Sequence, residues 1–427
     1  MDIESLKTII ESQREELDEK LKNEKIIARE GLDQVMKFLK YPNILAILGV
    51  RRCGKSIFSI LLSKKLKKEI GYINFVDDRL LNLKTQDLEK VLQSFYELYG
   101  DVELIILDEI QNVFGWELFV NRLRLSKKVI ITGSNSKLLS GELATHLTGR
   151  HIYFTLHPFS FKEIINFKPN IYSTKDRIKL KKSFFNYING SSFPEYTRFG
   201  KDIIRNIFDD IIIKDCLRRY NIREEKSFRE LATYLLSNFS CEFMYSKLSK
   251  ITKLKDFHTI KNYVNYLKEA YLIIVLERYS HKLKQQIIAP KKIYNIDQGF
   301  CNFLSFKISK DKGKLLENII AIELMRRKSS NLDFEIYYWK NHQQKEVDFV
   351  IKRKSKIEQL IQVCWSFEDS DTKKREFDSL IKASEELKCK NLLMITNEKE
   401  DLKIINNKKI KIIPAWKWLL ENSLVVK

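Results

Sequence analysis

Hydrophobic and polar positions along this chain follow two spacings in turn. Short apolar runs rich in β-branched residues are flanked by turn residues, as buried parallel strands are. Segments with helical spacing separate these runs, so we predict β-α-β units that build a doubly wound parallel sheet. Between residues 43 and 157 the apolar runs are NILAILGV, GYINFV, VELIILDE, KVIITGS and HIYFTLH.

Outside this region the pattern changes several times. Residues 1–40 have sparse apolar positions among many opposite charges, and we expect a helical arm that lies in solvent. Pro158 ends the strand-and-helix pattern, and residues 159–225 are helical in spacing with aromatic anchors. Residues 228–295 predict a small helical unit that ends in a hairpin, and residues 312–427 return to mixed strands and helices.

The charge balance favours polyanionic partners. The 427 residues contain 77 Lys and Arg against 56 Asp and Glu, a formal net charge of +21. Residues 1–200 hold 32 basic and 25 acidic residues, a net +7, so the remaining residues carry +14. Such a surplus favours nucleic acid as a partner, although compositional drift in a chain rich in Lys, Ile and Asn would give the same balance.

Cysteine spacing and the length of the apolar runs predict a cytoplasmic protein that does not enter a membrane. The cysteines lie far apart without a CxxC pair, which fits reduced thiols better than a disulfide framework or a zinc site. No apolar run reaches the roughly 18 residues of a membrane span. Residues 1–20 are acidic and helical in pattern, unlike a signal peptide.

The turn after the first apolar run carries the strongest chemical signal. GVRRCGKS, residues 49–56, matches GxxxxGK[ST] and has the strand before it and the helix after it that this motif requires. Backbone N–H groups and the start of the helix would hold phosphates, Lys55 would reach the β- and γ-phosphates, and Ser56 would coordinate Mg²⁺. We therefore expect ATP and Mg²⁺ as ligands. The residues expected to contact the nucleotide are Gly49, Arg51, Arg52, Cys53, Gly54, Lys55, Ser56 and Ile57.

Two later strands end in residues that suit phosphate chemistry. VELIILDE ends in Asp108, which would hold the Mg²⁺, and Glu109, which would orient and polarise the attacking water. KVIITGSNS would place Ser134 or Asn135 beside the same water. Each has a plainer alternative, since any strand can end in acids or in an ordinary Gly/Ser/Asn turn.

Together these residues make the chain resemble the AAA+ ATPases. More narrowly, it resembles archaeal and bacterial proteins that join such a module to a C-terminal domain of unknown function. The resemblance is carried by GVRRCGKS, LDEIQ (107–111), ITGSNS (131–136), LTGR (147–150), HPFSFKEI (157–164), KIYNIDQG (292–299), GKLLENIIAIEL (313–324) and EVDFVI (346–351).

The resemblance implies two further features of the ATPase module. HPFSF would open a helical lid. Arg150, just before the last strand, would project into a neighbouring subunit and stabilise charge on the transferring phosphoryl group. That role requires a homo-oligomer, and the alternative is a surface arginine at the start of a strand.

Residues 246–280 have the spacing of two short helices, a turn and a third helix, which predicts a winged helix. Residues 245–292 hold 11 basic and three acidic residues, a net +8. We expect phosphate contacts along DNA that weaken as salt rises, whereas the alternative is a winged helix that docks another protein. The residues expected at the DNA are Thr259, Lys261 and Asn262 on the recognition helix and Lys282 and Lys284 on the wing.

The last part of the chain resembles the PD-(D/E)XK nuclease fold, in which a helix Glu precedes a strand Asp and a further strand. Glu317, Asp348 and Gln362 occupy the corresponding positions, and Gln362 could bind a metal through its carbonyl. The lysine that normally follows is Cys364, a thiol that stays mostly neutral near pH 7. We therefore expect a nuclease-like domain that binds DNA or packs structurally without cutting, and the alternative is an active nuclease with a migrated lysine.

The sequence thus predicts an α/β protein with a P-loop AAA+ parallel sheet. Its expected function is Mg²⁺-dependent ATP hydrolysis coupled to DNA binding. The alternatives are a nucleotide-gated switch that acts on protein partners and an ATP-regulated DNA nuclease. The predicted domains are a helical arm (1–40), an AAA+ core (41–157), a helical lid (158–227), a winged-helix unit (228–300) and a PD-(D/E)XK-like domain (301–427).

Overall fold

The chain forms two compact units in a computed structural model. The first comprises residues 1–157 with 269–271, and the second comprises 158–268 with 272–427. The structure describes residues 1–427 except 24–25, 42, 67–68, 137–148, 166, 168, 253, 255, 306–310, 331–332, 368–369 and 422–427.

A five-stranded sheet of parallel strands, in the order β2-β3-β4-β1-β5, organises the first unit. β1 and β3 are buried along their whole length, which explains why they are continuous apolar runs in the sequence. The predicted doubly wound parallel sheet is confirmed. Its strands are β1 (Ile44–Leu48), β2 (Ile70–Asn74), β3 (Leu104–Asp108), β4 (Lys128–Gly133) and β5 (His151–Thr155). The helices of this unit are α1 (Ile3–Asn23), α2 (Leu32–Phe38), α3 (Lys55–Leu66), α4 (Leu88–Tyr99) and α5 (Trp116–Leu123).

The expectation that the N-terminal arm lies in solvent is wrong. Leu6, Ile9 and Ile10 on α1 are buried in the core cluster of the first unit. Gln13, one turn further on, pairs with the edge strand through both backbone groups of Asn74, at 3.1 and 2.8 Å. Apolar residues three and four positions apart share one face of a helix, so a few of them are enough to dock a helix whose other faces are charged.

The second unit begins with a helical region. Ser160 caps its first helix and exchanges hydrogen bonds with Glu163 in a capping box. Further along, Asp297 accepts hydrogen bonds from the Ser191 hydroxyl and the Ser192 amide, each at 2.7 Å, which joins the GSSFPEY and KIYNIDQG segments. The helices are α6 (Phe161–Ile164), α7 (Thr174–Asn189), α8 (Tyr196–Phe199), α9 (Ile203–Asp210), a π-helix (Ile211–Leu217) and α10 (Glu225–Ser237).

A three-stranded antiparallel sheet in the order β6-β8-β7 follows this region. Two helices separate β6 from β7, and one short helix separates β7 from β8. This is the element order that a winged helix has, and the winged-helix assignment stays a prediction. The elements are β6 (Cys241–Phe243), α11 (Tyr245–Thr252), α12 (Phe257–Glu269), β7 (Ile273–Leu276), α13 (Leu283–Ile288) and β8 (Lys291–Asn295).

The chain ends in a six-stranded mixed sheet in the order β13-β14-β12-β11-β10-β9. Trp416 and Trp418 are buried in this part of the chain. No helix in the described part of the chain is both long and apolar enough to cross a membrane. The elements are α14 (Gln298–Phe303), α15 (Lys312–Ser330), β9 (Phe334–Lys340), β10 (Glu346–Arg353), β11 (Lys356–Cys364), α16 (Ser370–Glu386), β12 (Leu392–Thr396), β13 (Asp401–Ile405), β14 (Lys408–Pro414) and α17 (Ala415–Trp418).

Candidate functional site

The loop between β1 and α3 has a backbone that its glycines make possible. Gly49 has a φ of 152°, and a Cβ built on it would lie 2.1 Å from the Leu156 carbonyl oxygen, so only glycine fits there. Gly54 has a φ of 96° and Arg52 a φ of 65°, so the loop turns sharply before the helix begins at Lys55. The GxxxxGK[ST] segment therefore forms a tight turn at the carboxyl end of a central buried strand.

Lys55 lies inside this turn. Its side chain is only 5% exposed, and its Nζ donates to the carbonyl oxygens of Gly49 at 3.2 Å and Val50 at 3.4 Å. The same Nζ lies 3.3 Å from Glu109 Oε1. Carbonyl groups and the Glu109 carboxylate thus hold the lysine over the loop. All of these groups lie at the carboxyl ends of β1 and β3.

Asp108 is the buried carboxylate at the end of β3. Its Oδ2 accepts a hydrogen bond from the Tyr72 hydroxyl at 2.9 Å, and its Oδ1 accepts one from the Thr132 hydroxyl. Ser56 also lies close enough to Asp108 to lower the pKa of that carboxylate. Burial raises the pKa of Asp108, with a further contribution from Glu109, while the three hydroxyls oppose the rise. A serine hydroxyl beside a carboxylate is the kind of oxygen set that Mg²⁺ takes, so these residues fit that ion.

Glu109 has an unusual backbone and a crowded carboxylate. Its φ is 54°, and its amide donates to the Thr132 hydroxyl at 3.0 Å. Its Oε2 accepts hydrogen bonds from the Ser134 amide, at 3.2 Å, and from the Gln111 side chain. Burial acts against ionisation most strongly, but nearby Lys55 and Arg51 outweigh it, so the pKa of Glu109 falls to about 2. Glu109 is therefore ionised at neutral pH.

The end of β4 lies beside the loop. The Gly49 amide donates to the Gly133 carbonyl at 3.3 Å, and β1 pairs in parallel with β4 as far as this point. Ser134 and Asn135 follow directly and are fully buried. Asn135 thus lies at the carboxyl ends of the strands, on the same side of the sheet as the loop and the acidic pair.

Arg150 lies at the amino-terminal end of β1, whereas the loop follows its carboxyl end. The Arg150 carbonyl accepts a hydrogen bond from the Ile44 amide at 3.0 Å. β1 is five residues long, which corresponds to about 16 Å. Arg150 is exposed, and its guanidinium lies 3.3 Å from Asn121 Oδ1. It therefore does not reach the loop of its own chain. Leu147 and Thr148 of the LTGR motif lie outside the described residues.

Sequence reasoning missed three residues that hold this site. Tyr72 and Thr132 both donate to Asp108 from neighbouring strands, and they lie in runs that were identified only as strands. Arg29 is buried and donates to the carbonyls of Cys53, at 2.8 Å, and His157, at 2.6 Å. A parallel-sheet register would have placed Thr132 near Asp108, but no local pattern links Arg29 to a loop more than 20 residues away.

A cavity of about 280 Å³ in the first unit shares Tyr72 with this site. Its lining includes Arg14 from α1, whose guanidinium lies 4.5 Å from the Tyr99 ring and 2.9 Å from Glu69. No residue of the 49–57 loop lines it. Loop chemistry, and not the size of this cavity, therefore locates the candidate nucleotide site.

The residues expected to contact DNA are distributed over a helix and the following hairpin. Lys261 and Asn262 on α12 and Lys282 and Lys284 near α13 are exposed. Thr259 differs, because its hydroxyl donates to Asp256 Oδ2 at 2.7 Å and its amide donates to the same oxygen at 2.8 Å. Thr259 therefore helps to cap α12, and the exposed lysines are better placed to contact a ligand.

The structure brings the Glu317 and Asp348 side chains together, whereas the Gln362 side chain contacts the Asp348 backbone. Glu317 Oε1 and Asp348 Oδ1 lie 2.7 and 2.9 Å from the Nζ of Lys292, a residue that sequence reasoning missed. Gln362 Oε1 accepts from the Asp348 amide at 3.3 Å. Burial and then Asp348 raise the pKa of Glu317, and Lys292 opposes the rise. Two lysines near β10 pair with other acids: Lys345 lies 3.6 Å from Asp378, and Lys352 lies 2.6 Å from Glu335.

Comparison with known families identifies three regions of this chain. A model of the AAA domain matches residues 41–165. Two domains of unknown function match the remainder, DUF8612 over residues 189–312 and DUF4143 over residues 312–418. Residues 41–165 are therefore similar to AAA domains, and the match includes the loop, Asp108, Glu109, Asn135 and Arg150.

Similar proteins occur in archaea and bacteria. The uncharacterized protein MJ1544 of Methanocaldococcus jannaschii is 37% identical over 403 residues, which cover 89% of this chain and 89% of that protein. An uncharacterized protein of Haemophilus influenzae is 29% identical over 418 residues, 93% of this chain and 99% of that protein. Among solved structures, the Walker-type ATPase PABY2304 of Pyrococcus abyssi aligns with a TM-score of 0.39 at 15% identity, covering 65% of this chain and 96% of that one.

Proposed function

We propose, from the premise that this chain belongs to the family of the Methanocaldococcus jannaschii protein MJ1544, that its first unit binds ATP with Mg²⁺ and hydrolyses it. One observation carries the proposal. Lys55, Ser56, Asp108 and Glu109 meet where the strands of a buried parallel sheet end, with Ser56 close enough to Asp108 to lower its pKa and Lys55 3.3 Å from Glu109. A cation, a hydroxyl and two carboxylates in this arrangement are what phosphoryl transfer to water requires.

Each residue has a distinct part in the proposed reaction. The loop amides and Lys55 would bind the phosphates, and Ser56 and Asp108 would hold Mg²⁺. Bound Mg²⁺ would neutralise charge on the phosphate oxygens. Tyr72 and Thr132 keep Asp108 oriented through hydrogen bonds to its two oxygens. Asn135 would orient the attacking water together with Glu109.

Glu109 would accept the proton of that water. Glu109 lies 3.3 Å from Lys55, which is one reason that its pKa is only about 2. A carboxylate with so low a pKa is a weak base. When Lys55 binds phosphate instead, Glu109 loses part of this stabilisation and becomes more basic. Nucleotide binding would therefore activate the base as well as position the substrate.

Replacing Lys55 with alanine tests the nucleotide site. We expect Lys55→Ala to weaken MgATP binding by roughly 100-fold or more, because it removes a charge-assisted contact to the phosphates. Binding is measured by isothermal titration calorimetry on the folded variant. Lys65→Ala is the matched control, since Lys65 lies on the same helix and pairs with Asp33 on the surface. If Lys55→Ala binds MgATP as tightly as wild type does, this loop is not the nucleotide site.

The second unit would couple this ATPase to DNA. The net charge of +8 over residues 245–292 and the exposed Lys261, Lys282 and Lys284 support this part of the proposal. DNA stimulation of the ATPase rate would indicate such coupling. An unchanged rate would favour the nucleotide-gated switch.

Removing the exposed lysines tests the DNA contact. Each of Lys261→Ala, Lys282→Ala and Lys284→Ala should weaken DNA binding and lower the slope of log K against log salt by about 0.9. Lys226→Ala is the control, because Lys226 is exposed on α10, outside this group. Fluorescence anisotropy at several salt concentrations measures both quantities. Equal slopes in all four variants and wild type would exclude these lysines from the DNA contact.

One observation favours a protein partner as a second candidate. Leu283, Ile287 and Ile288 on α13 are 70%, 61% and 67% exposed, which is unusual for three apolar side chains on one short helix. A wing that docks on protein would use them, whereas a wing that contacts phosphates would use Lys282 and Lys284. If replacing the lysines abolishes DNA binding and replacing Leu283 does not, the DNA proposal is supported.

A further inference from the structure

Lys292 is a buried lysine surrounded by carboxylates in the second unit. It lies on β8 and is 3% exposed. Its Nζ lies 2.7 Å from Glu317 Oε1, 2.6 Å from Glu346 Oε1 and 2.9 Å from Asp348 Oδ1. A lysine ammonium has three hydrogen-bond donors. Three carboxylates therefore lie within ion-pair distance of the ammonium, which donates a hydrogen bond to Asp348.

The carboxylates come from two elements that do not include Lys292. Glu317 lies on α15, and Glu346 and Asp348 lie two residues apart on β10. Three acidic side chains that converge on one point form the oxygen set that usually binds a divalent cation. Carboxyl groups buried together need either a bound proton or a compensating positive charge. In this unit the charge at the point of convergence is the ammonium of Lys292.

Other contacts hold the three carboxylates in this orientation. The Tyr294 hydroxyl donates to Glu317 Oε1 at 2.7 Å, and the Val363 amide donates to Asp348 Oδ2 at 2.9 Å. Lys340 Nζ lies 3.2 Å from the second oxygen of Glu346. The cluster is thus built from neighbouring strands and helices, and its geometry does not depend on Lys292 alone.

The nuclease resemblance implies a metal at Glu317, Asp348 and Gln362, and the residues present do not fit one. The Gln362 oxygen accepts from the Asp348 amide at 3.3 Å, and its nitrogen donates to Glu376 at 2.5 Å. As the side chains stand, no group of three or more His, Cys, Asp or Glu among the described residues forms a site able to hold a metal ion. The place that such an ion would take is filled by Lys292.

We propose that Lys292 is the resident cation of the Glu317–Glu346–Asp348 cluster and excludes divalent metal from it. The lysine belongs to the three-stranded sheet, and the carboxylates belong to the elements that follow, so the cluster also fastens these two parts of the second unit together. Removing the ammonium should convert the cluster into a divalent-cation site. This inference concerns the second unit and stands independently of the proposed ATPase.

Manganese binding by the nucleotide-free protein tests the proposal. Electron paramagnetic resonance counts bound Mn²⁺ in wild type, Lys292→Met, Asp348→Asn and the double variant. We expect Lys292→Met to bind one more Mn²⁺ per chain than wild type and the double variant to bind that ion at least about 10-fold more weakly. Lys291→Met is the matched control. It lies next to Lys292 on β8 and pairs with Glu277 at 3.3 Å, and it should bind no additional ion.

Two results would overturn the proposal. If folded Lys292→Met binds no additional Mn²⁺, the carboxylates are not a cation site. If Asp348→Asn binds one Mn²⁺ fewer than wild type, metal already occupies the cluster and Lys292 does not exclude it. The second comparison keeps Lys292 intact, so it remains decisive if Lys292→Met fails to fold.

Thermal unfolding gives an independent readout. Wild type should have the same midpoint with and without Mn²⁺ in the absence of nucleotide. Lys292→Met should unfold on the order of 10 °C lower, because its carboxylates lose their cation, and added Mn²⁺ should recover part of that loss. A Mn²⁺-dependent rise in the wild-type midpoint that Asp348→Asn abolishes would contradict the proposal.

Discussion

Replacing Glu109 with glutamine should lower ATP turnover by about 10²–10⁴-fold, because the amide cannot accept a proton from the attacking water. Binding of MgATP should persist and should be no weaker than in wild type. The reason is that Glu109 lies 3.3 Å from Lys55 and pairs with it. The glutamine variant releases the lysine for the phosphates without breaking a charged pair first.

Turnover is measured as phosphate release at saturating ATP, and binding is measured separately by calorimetry. Glu103→Gln is the matched control. Glu103 immediately precedes β3, Glu109 immediately follows it, and Glu103 pairs with Lys128 on the surface. That variant should hydrolyse ATP at the wild-type rate. Normal turnover by Glu109→Gln would show that another group acts as the base.

Replacing Arg150 with alanine should lower turnover by about 10³-fold, the lower end of the effect of an arginine that stabilises the transferring phosphoryl group. Nucleotide binding by the chain itself should be unchanged. Arg150 lies beside the amino end of β1, about 16 Å from the end where the loop begins. The arginine can therefore act only on a second copy of the chain.

Mixing two inactive variants distinguishes this role from a structural one. Lys55→Ala cannot use its own site but keeps Arg150, and Arg150→Ala keeps its site but lacks the arginine. In a mixed oligomer the first variant supplies the arginine to the second, so activity should return. Arg124→Ala is the control, since Arg124 contacts the same Asn121 oxygen at 3.0 Å and should retain full turnover. Full turnover by Arg150→Ala alone would remove the requirement for a neighbour.

The sheet of the first unit and the residues of its site were predictable for a simple reason. Buried parallel strands are continuous apolar runs, and β1 and β3 have that form along their whole length. The motif then fixed Lys55 and Ser56, and the acids after β3 fixed Asp108 and Glu109. These signals are local, because each lies within one strand–turn–helix segment.

The contacts that sequence reasoning missed join residues distant in the chain. Lys292 lies 25 residues or more from each of its carboxylates, so a search for a lysine inside the last domain could not find it. The docking of α1 depends on Leu6, Ile9 and Ile10, whose spacing alone did not outweigh the many charges around them. Strand β13 is an edge strand, and its apolar residues Leu402 and Ile404 are exposed. Its pattern of apolar and polar residues therefore differs from that of a buried strand.

The central claim is that the glycine-bracketed loop after β1 seats the triphosphate of ATP. A crystal structure of this protein with Mg²⁺ and a non-hydrolysable ATP analogue tests it most directly. We predict the analogue's phosphates within the loop, Lys55 moved from Glu109 to the phosphate oxygens, and the metal held by Ser56 and Asp108. An analogue bound elsewhere, with Lys55 still paired to Glu109, would contradict the account.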